Sequence, residues 1–340
     1  MRYGDFLRPG QTIGLAAPSF GCNIEPYKTG FDHAVRRFES MGYGILKGPN
    51  VYEGRGIGIS NEPDLCAAEF MDLYCGKEAR VIISCGGGEL MCGILPYIDF
   101  DRVKSSGPKW FMGYSDNTNL TFLLPVLADT AAIYGPCAPT FGMKTWHQAV
   151  QDAFDMICGK KRIVTNYPLW EKESLKDEDH PLLPYNVTEP FCMRTYPGED
   201  VRFRGRLLGG CLDILQILCG TRYDRVKEFN KKYRDDGIIW FLESCDLTAM
   251  GIRRAVWQLK EAGWFDCAAG FLVGRPWHYG EDMMGLDQYE AVTGVLGDLG
   301  LPIVMDLDIG HLPPAMPLIC GSMAKVRTRD GSITIEMELV

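Results

Sequence analysis

Apolar residues in the first part of this chain fall into short, nearly continuous runs separated by stretches of helical spacing. Residues 12–19, TIGLAAPS, form one such run and end in a turn. Phe31, Ala34, Val35, Phe38 and Met41 then recur at helical intervals, and Gly42 stands where a helix would stop. Asn61 and Pro63 suit the start of a second helix bearing Leu65, Ala68 and Phe70. ARVIIS (79–84) reads as a buried strand, KWFMGYSDNT (109–118) as a strand running into a turn, and AAIYGP (131–136) as a further strand. Between the last two lies the helical stretch TNLTFLLPVLADT. Strands alternating with helices in this way predict a parallel sheet with helices on both faces.

The texture changes near Ile163. Residues 166–191, NYPLWEKESLKDEDHPLLPYNVTEPF, are charged, proline-containing and aperiodic, and too long for a passive connection. After them come GRLLGGCLDILQILCGT (205–221), GIIWFLESCD (237–246), a helical MGIRRAVWQLKEAGWF (250–265) and a strand-like AGFLVGRP (269–276). The pattern predicts an α/β protein in three parts. Residues 1–165 form a parallel-sheet domain, 166–200 a linker or active-site loop, and 201–340 a smaller α+β domain.

With 340 residues, 46% of them hydrophobic and 23% charged, the chain has the balance of an ordinary globular protein with a sizeable core. A formal net charge of −9 argues against nucleic acid or an anionic membrane as a general partner. No apolar run reaches the length of a bilayer span. The first residues lack the basic start and apolar core of an export signal, so a cytoplasmic location is expected. The 13 cysteines are odd in number and contain no CxxC pair, which argues against a disulfide framework and a zinc site.

Ser115 follows the apolar strand Trp110–Met112 in the sequence GYSD and precedes a helix. A serine at such an elbow is held exposed over the positive end of the helix dipole, and the N–H of Asp116 can help stabilise an oxyanion. Helix capping by Ser115 or Asp116 is the alternative. Cys85-Gly86-Gly87-Gly88 closes another buried strand; Gly87 and Gly88 could present N–H groups to an anion, or simply form a tight turn. Cys85 is itself a possible nucleophile, although no histidine lies near it in sequence. Glu243 ends the apolar strand IIWFL, where a carboxylate needs a partner: a histidine N–H, or Arg253 or Arg254.

Among the five histidines, His33 falls in an amphipathic helix, His180 in the charged stretch and His147 at a helix start. His278 and His311 both lie near glycines in loops after strands. His311, in LDIGHLPPAMPL, is bracketed by Gly310 and a double proline that stiffens the loop, as a general base requires. Trp170 sits in the charged stretch and either stacks on a planar ligand or packs back on the protein.

Taken in order, GQTIGLAAPS, GGGELMCGILPYIDFDRV, PKWFMGYSDNTNL, GRLLGGCLDILQILCGT, IIWFLES, AGFLVGRP and DIGHLPPAMPLICGSMAKV resemble the LD-carboxypeptidase family of serine peptidases across almost the whole chain. The resemblance implies a Ser115–Glu243–His311 triad and an N-terminal domain like the class I glutamine amidotransferases. It also implies an oxyanion hole from Gly87, Gly88 and Asp116, substrate contacts from Trp170 and Asn119, no metal or cofactor, and a homodimer. The implied substrates are a murein tetrapeptide losing its terminal D-alanine, or an aminoacyl-nucleotide conjugate such as processed microcin C. GRP at 274–276, the aspartate before Ile309 and the Trp170 loop look closer to the second, self-immunity branch. The sequence departs from the family where Cys211 replaces the usual asparagine of Gly-Gly-Asn-Leu, and where Asn117 follows GYSD in place of an aliphatic residue. A Cys85-dependent hydrolase and a non-catalytic binding protein are the alternatives from other classes.

Overall fold

The computed structural model describes residues 1–340, which fold into two compact units. The N-terminal unit comprises Met1–Lys161 and Glu173–Asn186. Its sheet contains β1 (Thr12–Ala16), β2 (Gly44–Lys47), β3 (Ala79–Ser84), β4 (Trp110–Gly113) and β5 (Ala132–Tyr134). These run in the order β5-β4-β3-β1-β2, and every neighbouring pair is parallel. The helices are α1 (Tyr27–Ser40), α2 (Pro63–Cys75), α3 (Phe100–Ser105), α4 (Thr118–Ala128) and α5 (Gln148–Ile157).

The hydrophobic spacing explains how they pack. α1 buries Phe31, Ala34, Val35 and Phe38, one stripe of its surface. Phe38 stacks on Phe154 of α5 at 5.8 Å between ring centroids. α2 opens with Pro63, whose missing N–H costs nothing at that position. Its Phe70 meets Phe111 of β4 edge to face, in a core shared with Leu120 and Leu124 of α4. α4 is apolar on nearly every side and is correspondingly buried. The apolar run after the glycine turn is a 3₁₀ segment, Met91–Tyr97, with Pro96 inside it.

The C-terminal unit comprises Arg162–Lys172 and Val187–Val340. The stretch 166–200 is therefore divided: residues 173–186 belong to the first unit and the remainder to the second. The strands are β6 (Ile163–Thr165), β7 (Leu169–Trp170), β8 (Glu189–Pro190), β9 (Arg194–Tyr196), β10 (Arg202–Cys211), β11 (Ile238–Glu243), β12 (Ala268–Gly274), β13 (Ile303–Leu307), β14 (Leu318–Cys320), β15 (Met323–Arg329) and β16 (Ser332–Glu338). An eight-stranded sheet runs β6-β16-β15-β10-β11-β12-β13-β9. Its centre, β10 to β13, is parallel, and the outer pairings are antiparallel. Helices α6 (Leu212–Leu218), α7 (Val226–Lys232), α8 (Ala249–Glu261) and α9 (Gln288–Leu296) complete the unit. β11, IIWFLE, is buried at every position, as a central parallel strand must be. Glu243 is thereby delivered, buried, to the strand's C-terminal end. No helix is long and apolar enough to cross a membrane.

Candidate active site

In the N-terminal unit the chain leaves β4 at Gly113 and turns sharply through Ser115, which has φ 63°. A left-handed conformation at a residue other than glycine costs on the order of 1–3 kcal/mol and marks a position the surroundings enforce. A short 3₁₀ turn, Ser115–Asn117, leads into α4 at Thr118, so the serine stands at the positive end of that helix. The Ser115 N–H donates to the Tyr134 hydroxyl at 3.2 Å.

Three neighbours hold the elbow. Asp116 Oδ2 accepts from the Ser19 hydroxyl at 2.5 Å and from the Met91 N–H at 2.9 Å, which ties the loops after β1 and β3 to the turn. Burial pushes the Asp116 carboxyl up to about 6, against the lowering effect of these donors. Asn117, fully buried, donates through Nδ2 to Gly86 O at 2.7 Å and to Tyr114 O at 3.1 Å. The asparagine that departs from the family pattern is thus an internal strap between the elbow and the glycine turn. A Cβ on Gly87 would lie 3.1 Å from Ser115 Cβ and 3.2 Å from Oγ, so the turn passes close beside the serine and a larger residue would crowd it.

One expectation needs correcting in this unit, and one alternative loses its ground. Asn119, expected to contact substrate, is completely buried in α4 and donates to Asp116 O at 2.9 Å and Oδ1 at 3.0 Å. It holds the elbow from within, because the first turn of α4 faces the core. Cys85 is also completely buried; that burial, with Cys22 beside it, holds its thiol well above the ordinary value, the reverse of what a nucleophile needs.

In the C-terminal unit Glu243 Oε2 accepts from His311 Nδ1 at 2.8 Å. This contact fixes the imidazole tautomer and leaves Nε2 as the basic nitrogen. Glu243 is buried, while the His311 side chain retains 11% exposure. Burial opposes a charge on His311, but the Glu243 carboxylate overcomes it, with the Cys245 side chain also in contact, and holds the imidazole well above its ordinary value. Gly310, at φ 108°, makes room for the carboxylate: a Cβ there would sit 2.6 Å from Glu243 Oε2. Cys211 lies opposite Glu243 in the β10–β11 register, and its thiol contacts Asp213 Oδ2 at 3.3 Å. Asp213 in turn accepts from the N–H groups of Cys245 and Asp246.

Residues 13–135 match the LD-carboxypeptidase N-terminal domain and residues 204–326 the LD-carboxypeptidase C-terminal domain. The chain belongs to the LD-carboxypeptidase family. Among LD-carboxypeptidase relatives, the microcin C7 self-immunity protein MccF of Escherichia coli is 28% identical over 97% of this chain and 94% of that protein. The probable murein peptide carboxypeptidase of Bacillus subtilis is 25% identical over 97% of this chain and 93% of its own. A solved structure of MccF in complex with aspartyl sulfamoyl adenosine superposes with a TM-score of 0.80 at 22% identity, covering 98% of each chain. That likeness is one of fold: mixed α/β, parallel at the sheet centres and organised in two parts.

Trp170, expected either to stack on a ligand or to pack inward, packs inward, with 5% of its surface exposed. Its indole N–H donates to Pro190 O at 3.2 Å, its ring meets Tyr279 edge-on, and the Arg275 guanidinium lies 4.9 Å from its centre. The remaining histidines are placed as structural or surface groups. His147 Nδ1 caps α5 by accepting from the Ala149 N–H, while His180 and His278 pair with Asp177 and Glu281. Sequence inspection missed Tyr134, Ser19 and the Arg275–Asp308 pair. GRP at 274–276 and the aspartate before Ile309 stand out separately, as motifs of one branch, and nothing in the sequence joins them as a pair.

Proposed function

We propose that this LD-carboxypeptidase family member is a serine-type hydrolase that cleaves an amide bond in a small peptide-like substrate. Ser115 is the nucleophile, His311 the general base and Glu243 its orienting acid. The observation that carries this is the Glu243–His311 Nδ1 contact, which leaves a basic Nε2 on a loop stiffened by prolines. The strained serine elbow lends independent support from the other unit.

In this mechanism His311 Nε2 takes the Ser115 proton as Oγ attacks the scissile carbonyl, and Glu243 stabilises the imidazolium. The imidazolium then gives that proton to the departing amine. Water, deprotonated by His311, hydrolyses the acyl ester and regenerates Ser115. Candidate oxyanion donors are the N–H groups of Asp116, Gly87 and Gly88. Those of the two glycines donate to no acceptor in the protein, which fits them to a developing charge. Each such donor typically lowers the barrier by about 3 kcal/mol. The chemistry uses the chain's own side chains and requires no cofactor. We also read the N-terminal unit as amidotransferase-like, since its proposed nucleophile ends a parallel strand and precedes a helix.

The proposed substrates are an L,D-linked murein tetrapeptide or an aminoacyl-nucleotide conjugate; one relative is named for murein peptide, the other for microcin C7 self-immunity, and the latter has been solved with aspartyl sulfamoyl adenosine. The packed state of Trp170 removes its ring as an argument for the nucleotide. The test is kcat/KM of the purified protein on both substrates. Turnover of either supports amide hydrolysis and the larger value assigns the branch; binding of both without turnover would contradict the enzyme assignment.

A further inference from the structure

Arg275 follows the last residue of β12 and is 1% exposed. Its Nη1 donates to Asp306 O at 2.8 Å, its Nη2 to Asp308 Oδ1, and its backbone N–H to Leu307 O at 3.2 Å. The guanidinium carbon lies over the Trp170 ring, 4.9 Å from its centre. Asp308, completely buried, uses its other oxygen to accept the Tyr167 N–H at 2.8 Å, and its carbonyl accepts the Met316 N–H at 2.7 Å. A second tie joins the same two segments, Glu171 N–H to Pro313 O at 2.6 Å. The chain between Asp308 and Met316 is the loop that carries His311.

A buried ion pair seldom adds stability over a well-packed apolar replacement. What a guanidinium fork supplies is direction, because its donors are rigid and coplanar. Here that direction is spent at the root of the His311 loop, where the end of β12, the backbone of β13 and the segment Tyr167–Glu171 converge. We propose that the Arg275–Asp308 pair is a positioning device for His311: it fixes the root of the base-bearing loop and locks it to the Trp170 segment. The inference rests on the assignment of His311 as general base. Neither Arg275 nor Asp308 takes part in the chemistry.

The test uses the full-length protein on whichever substrate it turns over, with Arg275→Lys, which keeps the charge but loses the fork, and Asp308→Asn, which keeps the shape but loses the charge. Misplacing a base by about 1 Å costs on the order of 100-fold in rate. Each variant is expected to lose about 10- to 100-fold in kcat with KM nearly unchanged. The double variant should fall no further than the weaker single, because both substitutions disable one device. Acrylamide quenching of Trp170, read as the difference from the same variants carrying Trp170→Phe, should increase as the segment loosens. Folded variants with a lowered Tm but wild-type kcat would overturn the proposal and leave the pair a packing feature. If Arg275→Lys does not fold, Asp308→Asn carries the same two outcomes alone. His311→Asn separates the premise from the proposal: full activity there would refute the base assignment, whatever the pair does.

Discussion

Ser115, the proposed nucleophile, carries backbone strain at the elbow. At φ 63° an L-residue pays roughly 1–2 kcal/mol that glycine does not. Ser115→Gly should therefore raise the unfolding midpoint slightly while eliminating turnover, and paired thermal melts and rate assays check both halves. Asn117 spans the elbow and the glycine turn with one buried amide. Asn117→Ala leaves Gly86 O without that donor and should cost about 1–3 kcal/mol of stability. The rate should fall as well, because the turn is no longer tied to the serine; denaturant titration and kcat measure the two effects. His311 must be neutral to accept a proton, and Glu243 holds its pKa above the ordinary 6.5. The rate kcat/KM should accordingly rise with pH through an acidic limb centred above 6.5. Glu243→Gln should move that limb to lower pH and cut the plateau by about 10⁴-fold, as loss of an orienting carboxylate does in serine proteases. A limb that stays in place would deny Glu243 its role.

At the scale of elements, what could be seen in the sequence was what depends on near neighbours. β1, β3, β4 and β5 are short buried runs closed by glycine or proline, and α1, α2 and α4 declare themselves by spacing or by Pro63. β2, Gly44–Lys47, escaped because it is a half-exposed edge strand too short to alternate. The same logic applies to the site. Ser115, Glu243 and His311 are conspicuous as polar residues where apolar strands or stiff loops end. Assigning them roles, however, needed the family resemblance as well as position. Arg275 and Asp308 could not be paired in advance, since their contact arises from β12 lying beside β13 across 33 residues. Trp170 misled for the converse reason: a charged, aperiodic stretch suggests exposure, yet its ring is buried, with Tyr279 and Arg275 against it. Where elements meet, glycine sets the tolerance. Gly310→Ala combines a positive φ with a Cβ 2.6 Å from Glu243 Oε2. It should destabilise the protein by on the order of 1–3 kcal/mol and displace the acidic limb of the rate profile.

At the scale of the molecule, the net charge of −9 argues against a polyanion as a general partner. Each unit assembles its own part of the proposed chemistry: a strained serine beside free N–H donors in one, an oriented histidine in the other. Cys85, the rival nucleophile, is completely buried with Cys22 beside it, and both disfavour its thiolate. The most direct measurement is turnover of a single amide substrate by wild type, Ser115→Ala and Cys85→Ala, each verified as folded. Removing the nucleophile of a serine triad lowers kcat by about 10⁶-fold, so Ser115→Ala should be silent, and Cys85→Ala should stay within a few-fold of wild type. An active Ser115→Ala, or a folded but inactive Cys85→Ala, would contradict the account.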